Sequence, residues 1–445
     1  MSEIERMGSR RPALMMLAAL GMGMITTAAN AYELYSQGDD TLSFDATAMY
    51  SVLTSKKSYA IGSANSQGHK NWQEGYLKYG FKGTYGVGEG AVVYGGVSGL
   101  SSATWGDGDA GGFSSGDERE TDWEDAYVGW KSGERMAWLG KDGFDFSLGR
   151  QGLIIGDGFV IKNDGFNYGD VLGSTYDRGG AYYLAARQSF AKTAILRLGG
   201  SQGLRADVAW LKSDNAGQAD FESALVNLEH VSDAGTFAFM YLHGLDVDKR
   251  LATSAQLERD GMDLYSLRAV TSAGVENLAL SFEYVVEDKR NDADAGYGEV
   301  AYTLAGVPWT PVLTYRYSRF SKDYDSLFYG FNRGYGTWVQ GEVAGNYAGP
   351  LSSNTQIQHV GLKVSPSQSL NLGALYFDFD TLKDSYGNFS GRELDFYAEW
   401  FPTSAWYVSP TLGFYKPDKS LDDGGSQLGG DGLNTYAQIT VGYTF

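Results

Sequence analysis

The last ten residues, Tyr436-Ala-Gln-Ile-Thr-Val-Gly-Tyr-Thr-Phe445, alternate without a break. Ala437, Ile439, Val441, Tyr443 and Phe445 share one phase; Gln438, Thr440, Gly442 and Thr444 share the other. A strand turns successive side chains to opposite faces, so this pattern makes a strand with one apolar and one polar side. The pattern recurs along the chain. Leu42, Phe44, Ala46, Ala48, Tyr50 and Val52 alternate with Ser43, Asp45, Thr47 and Ser51. Leu77, Tyr79, Phe81 and Tyr85 alternate with Lys78, Lys82 and Thr84. The same holds for Leu278 to Glu287 and for Leu394 to Trp400. Runs of about ten residues with aromatics toward their ends are the signature of transmembrane barrel strands. The last strand carries this pattern through to a terminal aromatic, Phe445.

Composition narrows the alternatives. The 445 residues include 61 glycines, 31 tyrosines, 22 phenylalanines and 10 tryptophans, with no cysteine and only 8 prolines. That mixture favours strands and tight turns over helices. It also excludes a disulfide framework and thiolate metal sites. A net charge of −19 disfavours a general nucleic-acid binder.

The N-terminus reads as an export signal. Arg10 and Arg11 precede an apolar run over 12–25, and Ala29-Asn30-Ala31 has the spacing of a cleavage site. The expected domains are a signal peptide, 1–31, and an outer-membrane β-barrel, 32–445. Cleavage would remove Arg6, Arg10, Arg11, Glu3 and Glu5, three cations and two anions, so that −19 becomes −20.

A barrel in lipid must close, and its connections alternate between short periplasmic turns and longer outer loops. Short turns are expected at 86–90, 199–203, 232–235, 272–277, 306–311, 365–368 and 401–404, and long loops at 106–121, 246–260, 321–335 and 417–433. About nineteen candidate strands result, an odd number in a class that is almost always even. The surplus is sought in 337–371, where two short connections follow each other.

On this phase the inward face carries Lys78, Lys82, Arg197, Arg205, Arg268, Arg316 and Lys363. It also carries Asp45, Asp207, Glu283, Glu342, Asp395 and Glu399. Charges at membrane depth belong toward water or a partner. They form either salt-bridge ladders that stiffen the wall or a basic ladder that selects anions. The four histidines, His69, His230, His243 and His359, have no metal-ligand spacing, and no nucleophile motif accompanies them. No cofactor and no catalytic residue is expected.

Several blocks are similar to the alginate export family of outer-membrane porins. They are Thr314-Tyr-Arg-Tyr-Ser-Arg-Phe-Ser321, Ser326-Leu-Phe-Tyr-Gly-Phe-Asn-Arg-Gly-Tyr-Gly-Thr-Trp-Val-Gln-Gly-Glu342, Lys363-Val-Ser-Pro-Ser367 and the stretch SLGRQ…GDGF at 147–159. The resemblance is discontinuous over roughly residues 45–445. It implies a monomeric barrel of 18 strands with a basic constriction that passes an anionic polysaccharide, and the expected fold is an all-β, up-and-down antiparallel transmembrane barrel of 18 strands, with 16 as the alternative. Arg316, Arg319, Arg333 and Glu342 lie inside the matching blocks. Arg319 is off the polar phase, so it belongs at a strand end or beyond a bulge.

The expected function is a passive, substrate-selective channel for an anionic saccharide such as alginate, or a similar small polar anion. Its path would run along Lys78, Lys82, Arg150, Arg197, Arg205, Arg268, Arg316, Arg333 and Glu342. The expected partners are outer-membrane lipid and lipopolysaccharide, the barrel insertion machinery through the strand ending in Phe445, and the solute. The alternative is a structural or adhesive barrel with cation-binding acidic loops and a blocked lumen. The stretch 147–159 lacks the lysine and hydroxyl residue of a phosphate loop. It continues a strand to Gly149, where a bulge would swing Arg150 inward. The apolar residues that follow are expected either to leave the wall and narrow the pore around Arg150, Asp157 and Lys162, or to form an ordinary strand end and outer loop.

Overall fold

The computed structural model describes residues 31–60, 68–330, 340–349, 352–427 and 430–445. The expected signal peptide up to residue 30 and Arg333 lie outside the described residues. The strands are β1 (Tyr32–Gln37), β2 (Asp40–Ser55), β3 (Lys70–Gly86), β4 (Val92–Gly106), β5 (Arg119–Lys131), β6 (Phe144–Gln151), β7 (Phe190–Leu198), β8 (Gly203–Lys212), β9 (Glu222–Ser232) and β10 (Gly235–Asp246). They continue with β11 (Asp263–Thr271), β12 (Leu278–Asp288), β13 (Ala293–Thr303), β14 (Val312–Phe320), β15 (Thr355–Ser367), β16 (Leu370–Thr381), β17 (Gly391–Trp400), β18 (Trp406–Pro417) and β19 (Asn434–Thr444).

Each strand from β2 to β19 pairs antiparallel with its neighbours in sequence, and β19 closes on β2 from Tyr436↔Ser55 to Thr444↔Thr47. The wall is therefore a closed barrel of 18 strands. β1 is not a wall strand. It forms a hairpin with β2 and lies in line with the end of β19. There the Tyr32 ring stacks on Phe445 at 6.1 Å, and the Phe445 N–H donates to the Ala46 carbonyl at 2.8 Å. The surplus in the sequence count has its own cause. Residues 340–349 form no strand; they belong to the connection from β14 to β15 and include a short π-helical turn.

The seven expected short turns all join strands at one end of the barrel. The opposite end carries the long connections, among them 152–189 and 321–354. The outward phase is apolar all round: Phe81, Val128, Leu148, Phe239, Leu267, Tyr315, Val360, Phe396 and Ile439 are all exposed. Such a belt is stable only against lipid.

The hydrophobic core lies inside the barrel. Phe159, Ile161, Phe328 and Tyr347 from the connections pack there with inward wall residues Ile195, Leu211, Met240, Leu264, Val285 and Phe320. Inward apolar side chains break the polar-in pattern on β7, β8, β10, β11, β12 and β14, and that is where the connections dock.

Candidate solute path inside the barrel

The β6–β7 connection begins just after an irregularity whose extra residue lies on β7, not at the β6 bulge expected from the sequence. Gly149 has φ +126°, and the register to β7 shifts between Gly149 and Gln151. A glycine tolerates that conformation where a side chain would be strained. The chain then turns inward as a narrow hairpin. The Asn163 N–H donates to the Leu153 carbonyl at 2.8 Å, and the Ile155 N–H to Ile161 at 3.0 Å. The hairpin tip crosses the lumen to β11–β14. A Cβ at Gly156 would lie 2.6 Å from the guanidinium carbon of Arg268, and Asp157 accepts from the Tyr297 hydroxyl. Phe159, fully buried, packs on Tyr297, Phe320 and Tyr329 with ring centroids 5.3, 5.7 and 5.7 Å apart.

The β14–β15 connection enters the same space. The Lys162 N–H donates to Phe328 and the Gly330 N–H to Gly158, at 2.8 and 2.9 Å, so 328–330 runs beside the hairpin as a third strand-like piece. Tyr183 donates to Glu342 at 3.1 Å, and Tyr182 donates to the Asn346 carbonyl at 3.2 Å. The lumen is thus narrowed by two in-folded segments that hold each other.

Irregular backbone buried in a barrel needs acceptors for its N–H groups. Wall carboxylates supply them. Glu124 accepts from Gln188 and Ser189 at 2.7 and 3.0 Å, and Glu74 accepts from Leu184 at 3.1 Å. Glu393 accepts from Val343 and Ala344 at 2.6 and 2.8 Å, and Asp395 accepts from Glu342 at 3.3 Å. Many inward acids are therefore anchors for the in-folded segments.

The sequence-predicted residues divide into three groups. Lys78 pairs with Asp125 at 2.6 Å, Lys82 with Asp45 at 2.9 Å, Arg197 with Asp145 at 3.6 Å and Asp207 at 3.9 Å, and Arg205 with Glu229 at 2.5 Å. In every one of these pairs the cation is the more exposed partner: 35% against 13%, 56% against 25%, 38% against 14% and 23%, and 42% against 7%. These inward charges form salt bridges in which each carboxylate lies behind the cation it holds.

Arg268 and Arg316 point inward but are buried. Arg268 reaches Glu229 at 2.5 Å across β10, where the small Ala238 stands between them in register. Arg316 meets Glu299 at 3.2 Å. Both belong to the platform under the in-folded segments. Arg319 lies at the end of β14, paired with Asp294 at 2.7 Å, as its phase required. Two expectations are corrected. β6 keeps its register to β5 through Ala126↔Arg150, with no bulge to swing Arg150 inward, and Arg150 turns to Asp214 in the β8–β9 connection at 2.6 Å. Arg178 of the in-folded segment lies 3.7 Å from the same carboxylate, so Arg150 shares its partner with that segment. Glu342 is not on a wall strand; it belongs to the second in-folded segment.

The residues missed by sequence reading are Phe159, Tyr183, Phe328 and Glu229. A signal for their region exists: Leu225-Val226, Leu264-Tyr265 and Val285-Val286 are apolar on both phases, which marks an inner wall that is covered. Among the described residues, no group of three acidic or histidine side chains could hold a metal ion.

Burial, and next the neighbouring Glu393, raise the Glu342 carboxyl from an ordinary 4.5 to about 8. Between those values the docked segment binds a proton that a released one would not, so docking weakens as pH rises from 4.5 to 8. The groups facing this carboxyl include Tyr183, Glu393 and Asp395. Single-channel traces should show more frequent excursions to larger conductance at about pH 8 than at about pH 5, and Glu342→Gln should flatten that dependence. An unchanged pH profile in the variant would contradict this account.

No family model matches the sequence, and neither does any curated protein. Solved structures do. The BenF-like porin from Pseudomonas fluorescens Pf-5 superposes with a TM-score of 0.58 at 10% identity, covering 91% of this chain and 98% of that one. Pseudomonas aeruginosa OccK11 (OpdR) gives 0.55 at 12%, covering 90% and 96%. Pseudomonas aeruginosa OccK2 (OpdF), in complex with glucuronate, gives 0.57 at 10%, covering 91% and 98%. The fold is that of an outer-membrane porin. Together with the apolar belt, this places the barrel in the bacterial outer membrane. The likenesses support the porin barrel at large and not the alginate export family in particular.

Proposed function

We propose that this porin-fold barrel is a passive, substrate-selective channel for a small polar solute bearing a carboxylate, of the uronate or alginate-derived kind. The observation that carries the reading is the exposure order in the ion pairs. Lys78, Lys82, Arg197 and Arg205 present their cationic ends to the lumen, and their carboxylate partners are tucked behind. A fixed positive surface in a low-dielectric passage concentrates anions. The complex of OccK2 with glucuronate, a uronate in a barrel of similar fold, supports the solute class. The wall pairs also hold the cations in place, so a solute meets preorganised donors.

Reversal potentials across planar bilayers test the reading. Wild-type protein should favour anions, and Lys82→Gln with Arg205→Gln should shift the reversal potential toward cations. Cation selectivity of the wild type, with no block by uronates, would remove the anionic solute. The depth of the core between the in-folded segments favours one rival, a structural barrel with a blocked lumen; complete absence of conductance would establish it. On the same reading a signal peptide, 1–31, is removed on export. The protein works as a monomer in lipid and lipopolysaccharide, and the insertion machinery reads the strand ending in Phe445. Oligomers on cross-linking, a retained N-terminus in mature protein, or normal assembly without Phe445 would each overturn the corresponding part.

A further inference from the structure

Lys162 stands apart from the other inward cations. It lies on the returning arm of the hairpin, directly opposite Ile154. Side chains facing each other across an antiparallel pair share one side of it. Ile161 next to Lys162 turns into the core and is fully buried, whereas Ile154 is 37% exposed although it lies inside the barrel. The Ile154–Lys162 side is therefore the wet side of the hairpin.

The lysine stem is gripped by two glycines, one from each in-folded segment. A Cβ at Gly158 would come within 2.7 Å of the Lys162 Cβ, and one at Gly330 within 2.3 Å of its Cδ. Any side chain at either glycine would displace the stem. Among the described residues the ammonium has no carboxylate within ion-pair distance. It is not one of the sealed polar atoms that lack a partner. Burial alone acts on it, lowering its pKa to about 8, so it remains largely charged at neutral pH. The wall cations Lys78, Lys82, Arg197 and Arg205 each carry a counter-charge; Lys162 has none among the described residues.

We infer that Lys162 is the specificity-determining contact of the channel, taking the carboxylate of a passing solute where the two in-folded segments meet. This deepens the channel reading above and rests on it. An ammonium held by its stem, half out of water and without a counter-ion, gains more from a carboxylate than a wall lysine already paired. A neutral sugar offers it no comparable contact.

The test uses the full mature barrel in planar bilayers, with galacturonate and galactose added as blockers. Folding of each variant is checked by heat-modifiable gel mobility. Wild type should be interrupted by galacturonate and not by galactose. Lys162→Met keeps the stem and removes the charge; it should weaken the galacturonate block by about ten-fold or more, the scale of one charge-assisted hydrogen bond. Lys162→Arg should retain most of the block. Equal block in wild type and Lys162→Met would overturn the inference and leave the channel reading standing. No block in wild type, or no conductance, would overturn both.

Discussion

Phe159→Ala is expected to open the barrel without unfolding it. Phe159 is the peg by which the hairpin holds the far wall, packed on Tyr297, Phe320 and Tyr329. Truncating a buried phenylalanine costs about 3–5 kcal/mol. The strand ladders do not depend on that contact, so the loss falls on docking of the hairpin rather than on the wall. Single-channel conductance should rise by roughly two-fold or more as the passage widens, and uncharged sugars excluded by wild type should pass in liposome swelling. Retained heat-modifiable mobility would confirm an intact wall. Unchanged conductance and unchanged exclusion would show that the hairpin does not set the passage.

Glu229→Ala should have the second large effect. One carboxylate there accepts from Arg205 Nε at 2.6 Å, Arg268 at 2.5 Å and Asn227 at 3.2 Å. Removing it strands Arg268, which is buried, and breaking such a buried pair costs about 3–5 kcal/mol. The loss on the Arg205 side is smaller, because that side chain is partly exposed and screened. The tip at Gly156 rests on the Arg268 guanidinium, so the platform loosens as well. Reversal potentials should move further toward anions, and the transition of the folded band should occur at a lower temperature. Glu229→Gln, which keeps acceptor oxygen and shape, should lose less. If Glu229→Ala matches wild type in both measurements, the chain of contacts from Arg205 to the hairpin has no energetic weight.

The inward acids show why charge counting alone did not describe the lumen. Counted by sign, Asp45, Glu74, Glu124, Glu229, Glu393 and Asp395 would cancel a basic path. In space, Asp45 and Glu229 sit behind cations, while Glu74, Glu124, Glu393 and Asp395 bind backbone N–H groups of the in-folded segments. Neither use carries a local sequence pattern, because the partners come from distant parts of the chain. Arg150 illustrates the same limit: the bulge expected at Gly149 is absent from β6, and the partner, Asp214, carried no local signal.

Local pattern determined the wall. The two-residue period that ends at Phe445 decides which face meets lipid. The glycine- and proline-rich breaks place the turns, and closure follows because lipid offers no acceptor for an open edge. For the stretch after Gly149, the apolar run LIIGDGFVI made an inward departure one of two readings, beside an ordinary outer loop, and the sequence did not choose between them. What only tertiary structure decided is where that run goes and what it meets. The hairpin crosses to β11–β14, the segment ending at Tyr347 docks on β17 and β19, and the two leave Lys162 as a charge without a counter-charge among the described residues. Those outcomes depend on which side chains become neighbours across a closed ring. Strand period is a property of adjacent residues, whereas filling the lumen depends on volume and on unsatisfied N–H groups shared among elements far apart in the chain.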